Sequence, residues 1–159
     1  MKRNILVPFD GSPSAVEALT LAILLAKPLQ EKVILLNVQP GIPASYAKRF
    51  LTERLDEALF VEQQQEIFEK TIASGKSMLA ESGIAYEVKK RIGQAGDEIC
   101  AEAKGVNDAD SAGGVRLIVM GSRGMNPIIG GVMGSVSYAV LANAPCPVTV
   151  IPFSCAQKP

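Results

Sequence analysis

A glycine- and serine-rich segment between residues 121 and 137 carries residue types that can hold a phosphate group. It consists of Gly121–Gly124, nine further residues, and then Gly134–Ser137. Glycines let backbone amides approach a phosphate closely, and the amino end of the helix predicted to follow supplies unpaired N–H groups with partial positive charge. Ser135 and Ser137 add hydroxyl donors. The alternative is that the glycines only permit a long, tight turn, because glycine often punctuates loops.

A second candidate phosphate loop lies at Ser74–Ser77, which contains the G-K-S end of a Walker A sequence. The first glycine of that motif would stand at position 70, where the chain has Lys70. The segment also lies inside a predicted long helix, whereas the motif has to follow a strand. We therefore predict that Ser74–Ser77 does not bind phosphate.

The side chains that most hydrolytic enzymes and metal sites use are scarce in this chain. It contains no histidine, which removes Ser-His-Asp and Cys-His arrangements and every imidazole ligand. Cys100, Cys146 and Cys155 are odd in number and have no C-x-x-C spacing, which favours reduced thiols over a zinc site or a disulfide framework. Lys and Arg (16) balance Asp and Glu (16), so no net charge draws the protein to nucleic acid or to an anionic membrane. We expect a protein that is not an enzyme and holds no metal through its own side chains.

Apolar runs and helical spacings predict how the candidate residues are positioned. Short apolar runs predict strands buried on both faces, and an alternating run at 84–88 predicts a strand at a sheet edge. The predicted order is strand Ile5–Phe9, helix from Ser12 or Ser14 to Pro28, strand Val33–Val38, helix Tyr46–Ser82, strand 84–88, helix Asp97–Lys104, strand Val115–Met120, helix Ser135–Ala142 and a last strand at Pro147–Phe153. Strands that alternate with helices need crossover connections, so we predict an α/β fold: an open, mainly parallel five-stranded sheet with helices on both faces.

Length and the amino-terminal sequence predict the domain count and the compartment. The 159 residues predict a single domain, residues 1–159. Pro8 and Asp10 interrupt the apolar run at 5–7 too early for a signal peptide. No apolar stretch approaches the ~18 residues that a membrane-spanning helix needs. We therefore expect a cytoplasmic protein that does not contact membranes.

The fold class predicts where a ligand would bind. In open α/β sheets, ligands bind beyond the carboxyl ends of the strands, where the strand order reverses. Those ends are Asp10–Ser12, Val38–Pro40 and the segment that starts at Gly121. Asp10 either serves a ligand there or caps the helix that starts near Ser12, and the sequence leaves both interpretations open.

The chain resembles the universal stress protein family at Asn4–Ser12, at Leu117–Gly124 and at Ala144–Val148. The ATP-binding branch of that family carries the pattern G-x2-G-x9-G-S/T. This pattern is matched without insertion or deletion by Gly121, Gly124, Gly134 and Ser135. The resemblance covers nearly the whole chain and implies a Rossmann-like fold of the adenine-nucleotide alpha hydrolase type. It also implies binding of ATP, or of ADP or AMP, with Mg²⁺ held through the phosphates.

The resemblance also assigns roles to residues by position. It puts the triphosphate on Gly121, Gly124, Gly134, Ser135 and Ser137, and the ribose and adenine beside the end of the first strand. Asp10 would contact ribose hydroxyls or a phosphate-bound Mg²⁺, Val38 would offer backbone groups to the adenine edge, and Arg123 either reaches a phosphate or is solvated. The predicted nucleotide-binding residues are Pro8, Phe9, Asp10, Val38, Met120, Gly121, Arg123, Gly124, Gly134, Ser135, Val136 and Ser137.

Two segments depart from the family pattern or vary within it. Arg116 stands where family members usually carry an acidic residue, and it follows an unusually long loop at 107–114. Arg116 lies near the start of the predicted strand Val115–Met120, whereas the phosphate segment follows the other end of that strand. Gly41–Arg54 is variable in the family and is either a lid over the nucleotide or a linker.

The last predicted strand, Pro147–Phe153, predicts an interface between two copies of the chain. Val148–Ile151 is short, rich in β-branched residues and uncharged, and edge strands of that kind pair with other strands unless they are covered. We expect a homodimer in which these strands pair antiparallel under two-fold symmetry, as is common among universal stress proteins. The alternative is a strand covered by the chain's own tail, Ser154–Pro159.

These observations favour a dimeric stress-response regulator that binds ATP or a related adenine nucleotide. Two alternatives stay open. One is a slow ATP hydrolase or nucleotidyl transferase that uses the same pocket, although no nucleophile with a positioned base can be named. The other is an interaction protein that has a vestigial pocket and unidentified protein partners.

Overall fold

A computed structural model describes residues 4–42, 44, 47, 57–105, 114–124 and 133–152 of the chain. In that part, strands alternate with helices as the sequence predicts. The elements are β1 Asn4–Pro8, α1 Pro13–Leu29, β2 Lys32–Gln39, α2 Glu57–Ser82, β3 Tyr86–Ile92, α3 Ala95–Lys104, β4 Val115–Gly121, α4 Ser135–Asn143 and β5 Val148–Ile151.

The described strands form one sheet in the order β3-β2-β1-β4-β5, and all four neighbouring pairs are parallel. In the centre, Ile5 of β1 is in register with Val33 of β2 and with Leu117 of β4. The chain moves outward from β1 to β3 and then crosses to β4 on the other side of β1. This topology confirms the predicted α/β fold, and it also puts β3 and β5 at the two edges.

The hydrophobic core has two layers, one on each face of the sheet. Val7 and Leu35 pack with α1 and α2, whereas Leu6 and Ile34 pack with α3 and α4. Successive residues of a strand point to opposite faces, so a strand covered on both sides needs apolar residues at consecutive positions. That requirement explains the uninterrupted apolar runs in the sequence.

Helix α1 runs past the proline at which it was predicted to end. It includes Pro28 and stops at Leu29, and Gln30 closes it with a left-handed φ of 52°. Proline disrupts a helix by removing one N–H and crowding the carbonyl four residues earlier, here that of Leu24. Leu24 is an exposed residue, so the turn that the proline disturbs lies at the protein surface.

Several other predicted boundaries shift or fall outside the described residues. Phe9 lies just beyond β1, although its N–H still donates to Leu36 O at 2.8 Å. Helix α3 begins at Ala95, before the predicted Asp97. Most of the predicted lid or linker at 41–54, the first part of the helix predicted from Tyr46, and residues 153–159 lie outside the part that the structure describes.

Helix α2 contains the Ser74–Ser77 segment, as predicted, and the structure gives its glycine a packing role. A Cβ on Gly75 would lie 3.1 Å from Leu35 Cδ2 and from the ring of Phe9, so the helix approaches the sheet closely at this point. Among the described helices, none is long and apolar enough to cross a membrane.

Arg116, the departure from the family pattern, has a defined partner at the amino end of β4. Its Nε lies 3.0 Å from Oε1 of Glu31, whose side chain is only 5% exposed. A buried carboxylate is costly without a cation beside it, so the basic residue compensates the charge of Glu31. The arrangement lies at the end of the sheet opposite to the carboxyl ends of the strands.

Candidate functional site

A cavity opens beyond the carboxyl ends of β1 and β4. These strands are neighbours in the sheet, and the strand order reverses between them, which is where ligands bind in open α/β sheets. The cavity has a volume of about 140 Å³ and is partly open to solvent. Its position is the one predicted from the fold class.

Ten of the twelve predicted site residues line this cavity. They are Pro8, Phe9, Asp10, Val38, Met120, Gly121, Arg123, Gly124, Val136 and Ser137. Gly134 and Ser135 are not among the lining residues, and they lie at the start of α4. The lining residues that sequence reasoning missed are Ser12, Ala15, Leu36, Asn37, Ala95 and Ile99.

Asp10 is held by the turn between β1 and α1. Its Oδ1 accepts a hydrogen bond from Ser12 N at 2.9 Å, while Ser12 itself is the N-cap of α1 and its Oγ accepts from Ala15 N at 3.3 Å. The helix cap is therefore Ser12, and Asp10 stabilises the turn that precedes it. The Asp10 carboxylate is exposed and faces the cavity with its second oxygen beside Gly124.

Hydrogen bonds from three elements fix the backbone that follows β4. Ser14 Oγ in α1 donates to Arg123 O at 2.6 Å. Ser122 O accepts from Gly134 N at 2.8 Å, and Ser122 N donates to Ile151 O of β5, also at 2.8 Å. The segment at 121–124 thus contacts α1, α4 and β5 at once.

Ser137 is one of the contacts that hold this segment. Its buried hydroxyl lies 3.0 Å from Gly121 O and 3.2 Å from Ser122 O, to which it donates. A hydroxyl has a single proton, so in this arrangement Ser137 donates to the protein backbone. The structure therefore gives it a supporting role for the loop, beside the phosphate contact that the resemblance implied.

The three glycines of the pattern each leave room for an atom of the chain itself. None of them has a positive φ, so their backbone conformation does not require glycine. A Cβ on Gly121 would lie 2.8 Å from Ser14 Cβ, one on Gly124 would lie 2.8 Å from Asp10 Oδ2, and one on Gly134 would lie 3.1 Å from Ser122 O. The spacing of the glycines therefore permits close approach between the β4 segment, α1 and the turn at Asp10.

The cavity lining combines apolar residues with groups suited to anions. The apolar lining residues include Leu36, Ile99 and Met120. The lining also includes Arg123 and residues of the first turn of α4, which has no acidic residue and begins at a glycine with no side chain to cap it. The first N–H groups of a helix have no intrahelical partner and carry partial positive charge, which favours a negatively charged group.

Asn37 joins the ends of two strands at the cavity. Its Nδ2 donates to Phe9 O at 2.9 Å, and the residue is only 5% exposed. Its Oδ1 has no hydrogen-bond partner among the described residues. The bond holds the backbone after β1 against β2, which keeps Asp10 and Val38 on the same cavity.

Among the described residues, no group of three or more Cys, Asp and Glu side chains is arranged to hold a metal ion. Asp10 is the one carboxylate among the described residues that line the cavity. A divalent cation at this place would therefore depend on ligand oxygens in addition to Asp10, since Mg²⁺ is usually bound by one or two carboxylates together with substrate phosphates.

Comparisons with known proteins agree with the fold and the sequence pattern. Residues 1–152 match the universal stress protein family. A universal stress protein of Synechocystis sp. is 33% identical, with 96% of this chain and 87% of that protein covered. Universal stress protein YxiE of Bacillus subtilis is 32% identical, with 95% and 99% covered.

Solved structures also share this fold. The structure of hypothetical protein MJ0577 has a TM-score of 0.74 at 25% identity, with 98% of this chain and 99% of that chain covered. More distant relatives were solved with nucleotides: a protein of Archaeoglobus fulgidus with dAMP (TM-score 0.63, 20% identity, 95% and 98% covered) and one of Arabidopsis thaliana with AMP (0.64, 21%, 99% and 96%). By the match to the family over residues 1–152 and by its curated relatives, the chain belongs to the universal stress protein family.

Proposed function

We propose that this protein binds an adenine nucleotide, ATP with Mg²⁺ in the first instance, in the cavity beyond β1 and β4, and that it acts as a dimeric stress-response regulator. The observation that carries the proposal is the mixed lining of the cavity. It combines the apolar residues Leu36, Ile99 and Met120 with Arg123 and the first turn of α4. A nucleotide likewise combines an apolar base with an anionic phosphate chain.

Arg123 and the start of α4 support ATP through charge and backbone donors. The N–H groups at residues 135–137 have no intrahelical partner, and together with the guanidinium of Arg123 they offer positive potential. Helix amino ends of this kind are common phosphate sites. In this arrangement Mg²⁺ would bind through the phosphate oxygens, where it would neutralise part of the ligand's charge.

Val38 and Asp10 are suited to bind adenine and ribose. Val38 stands at the cavity near the end of β2, where its backbone can meet the edge of a base, and Asp10 offers a carboxylate to hydroxyl donors. Structural relatives that share the fold hold AMP and dAMP, and one was solved in complex with cAMP. Adenine nucleotides are therefore the ligand class to test first.

The test of binding combines direct identification with titration. Mass spectrometry of the natively purified protein identifies any bound nucleotide, and calorimetry with ATP and Mg²⁺ measures affinity. We expect Gly134→Val to abolish binding while circular dichroism shows an intact fold, because the new side chain displaces Ser122 O. Gly114→Val is the matched control, since no described atom lies within 4 Å of a Cβ there. Unchanged ATP affinity in Gly134→Val would contradict the site.

We also propose that the protein binds nucleotide without catalytic turnover. Asp10 is the one described carboxylate at the cavity, the chain has no histidine, and no nucleophile has a base in hydrogen-bond reach among the described lining residues. A phosphate-release assay on the nucleotide-bound sample decides the point. Sustained release at a rate that Asp10→Asn removes would establish the alternative, a slow ATP hydrolase.

The proposed dimer forms through the outer edge of β5. Pro147 O accepts from Ile118 N of β4, and Ile151 O accepts from Ser122 N just after β4. In a parallel ladder the backbone groups of Val148 and Val150 therefore face away from β4. These outward N–H and C=O groups are available to a second copy. The reduced thiols Cys100 and Cys146 favour the cytoplasm as the setting.

Light scattering tests this dimer. We expect Val150→Pro to give monomers, because proline removes the outward N–H and leaves the β4 ladder in place. Val150→Ala is the matched control, since it loses the side chain but keeps the donor, and it should remain dimeric. A monomeric wild type, or a dimeric Val150→Pro, would exclude this edge as the interface.

A further inference from the structure

We infer that Gly124 is a positioning residue: it leaves the space in which the Asp10 carboxylate is oriented toward the ribose hydroxyls of the nucleotide. The inference rests on the proposed nucleotide site and assigns to Gly124 a function other than contact with phosphate. It concerns two residues that lie far apart in the sequence but at the ends of neighbouring strands β1 and β4.

The backbone of Gly124 does not itself require glycine. Its φ lies outside the left-handed region, so an alanine could adopt the same conformation. Of the described atoms, only Asp10 Oδ2 lies within 4 Å of a Cβ built at this position, and it lies at 2.8 Å. Contacts that short are essentially never made by real Cβ atoms. The described atom that a side chain at residue 124 would displace is therefore part of the Asp10 carboxylate.

One hydrogen bond and one open space determine where that carboxylate can point. Ser12 N donates to Oδ1 at 2.9 Å, and Oδ2 lies 2.8 Å from the place that a Cβ at residue 124 would take. Asp10 is exposed, so its side chain can rotate if the hydrogen bond is lost. A methyl group at residue 124 would displace Oδ2 and with it the hydrogen bond on Oδ1. Because the atom displaced is the end of a side chain, the fold itself would tolerate the change.

The chemistry of a carboxylate selects the part of the ligand that it meets. An ionised Asp10 only accepts hydrogen bonds, so it repels phosphate oxygens and suits a pair of hydroxyl donors. In a nucleotide that pair is the 2′- and 3′-hydroxyls of the ribose. Gly124 then affects affinity through Asp10 and only for ligands that carry those hydroxyls.

Calorimetry with ATP and 2′,3′-dideoxy-ATP separates this role from a phosphate contact. Four proteins are compared with the wild type: Gly124→Ala, Asp10→Ala, the double variant, and Gly114→Ala as the matched glycine control. We expect Gly124→Ala to weaken ATP binding by about 10- to 150-fold, the range for a hydrogen bond to a charged group. Binding of the dideoxy analogue should be unchanged, and the double variant should be no weaker than Asp10→Ala alone.

A readout without ligand tests the positioning step by itself. In Gly124→Ala the amide proton resonance of Ser12 should move upfield and exchange faster with solvent, as it should in Asp10→Ala, whereas Gly114→Ala should leave it unchanged. An unchanged Ser12 resonance in Gly124→Ala would overturn the inference whatever the ligand data.

The remaining outcomes separate this inference from the proposed function. If Gly124→Ala loses the same affinity for ATP and for the dideoxy analogue, Gly124 contacts phosphate. If the loss of affinity persists with the analogue but disappears in EDTA, Asp10 binds Mg²⁺. Either result overturns the inference and leaves the nucleotide site standing. A wild type that binds neither nucleotide refutes the proposed function instead.

Discussion

Replacing Gly121 by alanine should destabilise the fold through one defined clash. The new Cβ would meet Ser14 Oγ first, and it would lie 2.8 Å from Ser14 Cβ and 3.0 Å from the Ser14 backbone carbon, whereas carbon atoms pack best at about 3.5–4.0 Å. The helix and the sheet must therefore separate locally by roughly an ångström. Overpacking of this kind costs about 1–3 kcal/mol, which for a domain of this size lowers Tm by about 2–12 °C.

Urea unfolding followed by circular dichroism measures this loss, with Gly114→Ala as the control that adds the same atom where no described atom lies within 4 Å. The source of the clash is tested by a double-mutant cycle with Ser14→Gly, which removes the Cβ that Gly121→Ala meets. Gly121→Ala should cost less in the Ser14→Gly background than in the wild type. Equal stability of Gly121→Ala and Gly114→Ala, or a cost that Ser14→Gly does not reduce, would refute the packing explanation.

Three further predictions concern charge and thiol chemistry away from the cavity. Glu102→Gln should destabilise the fold by about 1.5–3 kcal/mol in urea unfolding, because the Glu102 side chain is 6% exposed and pairs with both Lys89 and Arg91, of which Arg91 keeps Glu98 as a second carboxylate partner. A hydrogen bond from Lys32 lowers the pKa of Glu87, so the ionised carboxylate stabilises the fold at pH values above its ordinary pKa of 4.5. Glu87→Gln should therefore lower the free energy of unfolding at neutral pH by less than about 1 kcal/mol. This difference from the wild type should vanish as the pH falls through the lowered pKa. Burial raises the pKa of Cys100, so alkylation followed by mass spectrometry should label it more slowly at neutral pH in the folded than in the urea-unfolded protein.

The fold was predictable because each strand has an apolar or alternating pattern in the sequence. A sheet covered on both faces needs consecutive apolar residues, as in Val33–Val38. The alternating residues 84–88 correctly predicted an edge strand, but its predicted bounds were wrong, since the strand is Tyr86–Ile92. The predicted end of α1, at Pro28, was wrong, since the helix ends at Leu29. Pro28 disturbs a single carbonyl in the last turn, and the free-energy cost of that disturbance depends on solvent exposure, which a sequence does not give.

The site was predictable where it depends on strand ends and glycine spacing, and less so where it depends on packing. Leu36 and Asn37 could have been found, since they precede the predicted Val38 in the same strand. Ala95 could not, because α3 reaches the cavity through close packing on α4, where a Cβ on Gly96 would lie 2.8 Å from Ala139 Cβ. No linear pattern contains that contact.

Ser122 connects the two binding events proposed for this protein. Its N–H bonds to Ile151 in the edge strand, and its carbonyl accepts from Gly134 at the start of α4. If nucleotide binding shifts this backbone, dimerisation and nucleotide affinity become thermodynamically coupled, and each must then change the other by the same factor. The coupling free energy follows from nucleotide titrations at protein concentrations above and below the dissociation constant of the dimer. A cell that changes the amount of this protein would thereby change its sensitivity to the nucleotide.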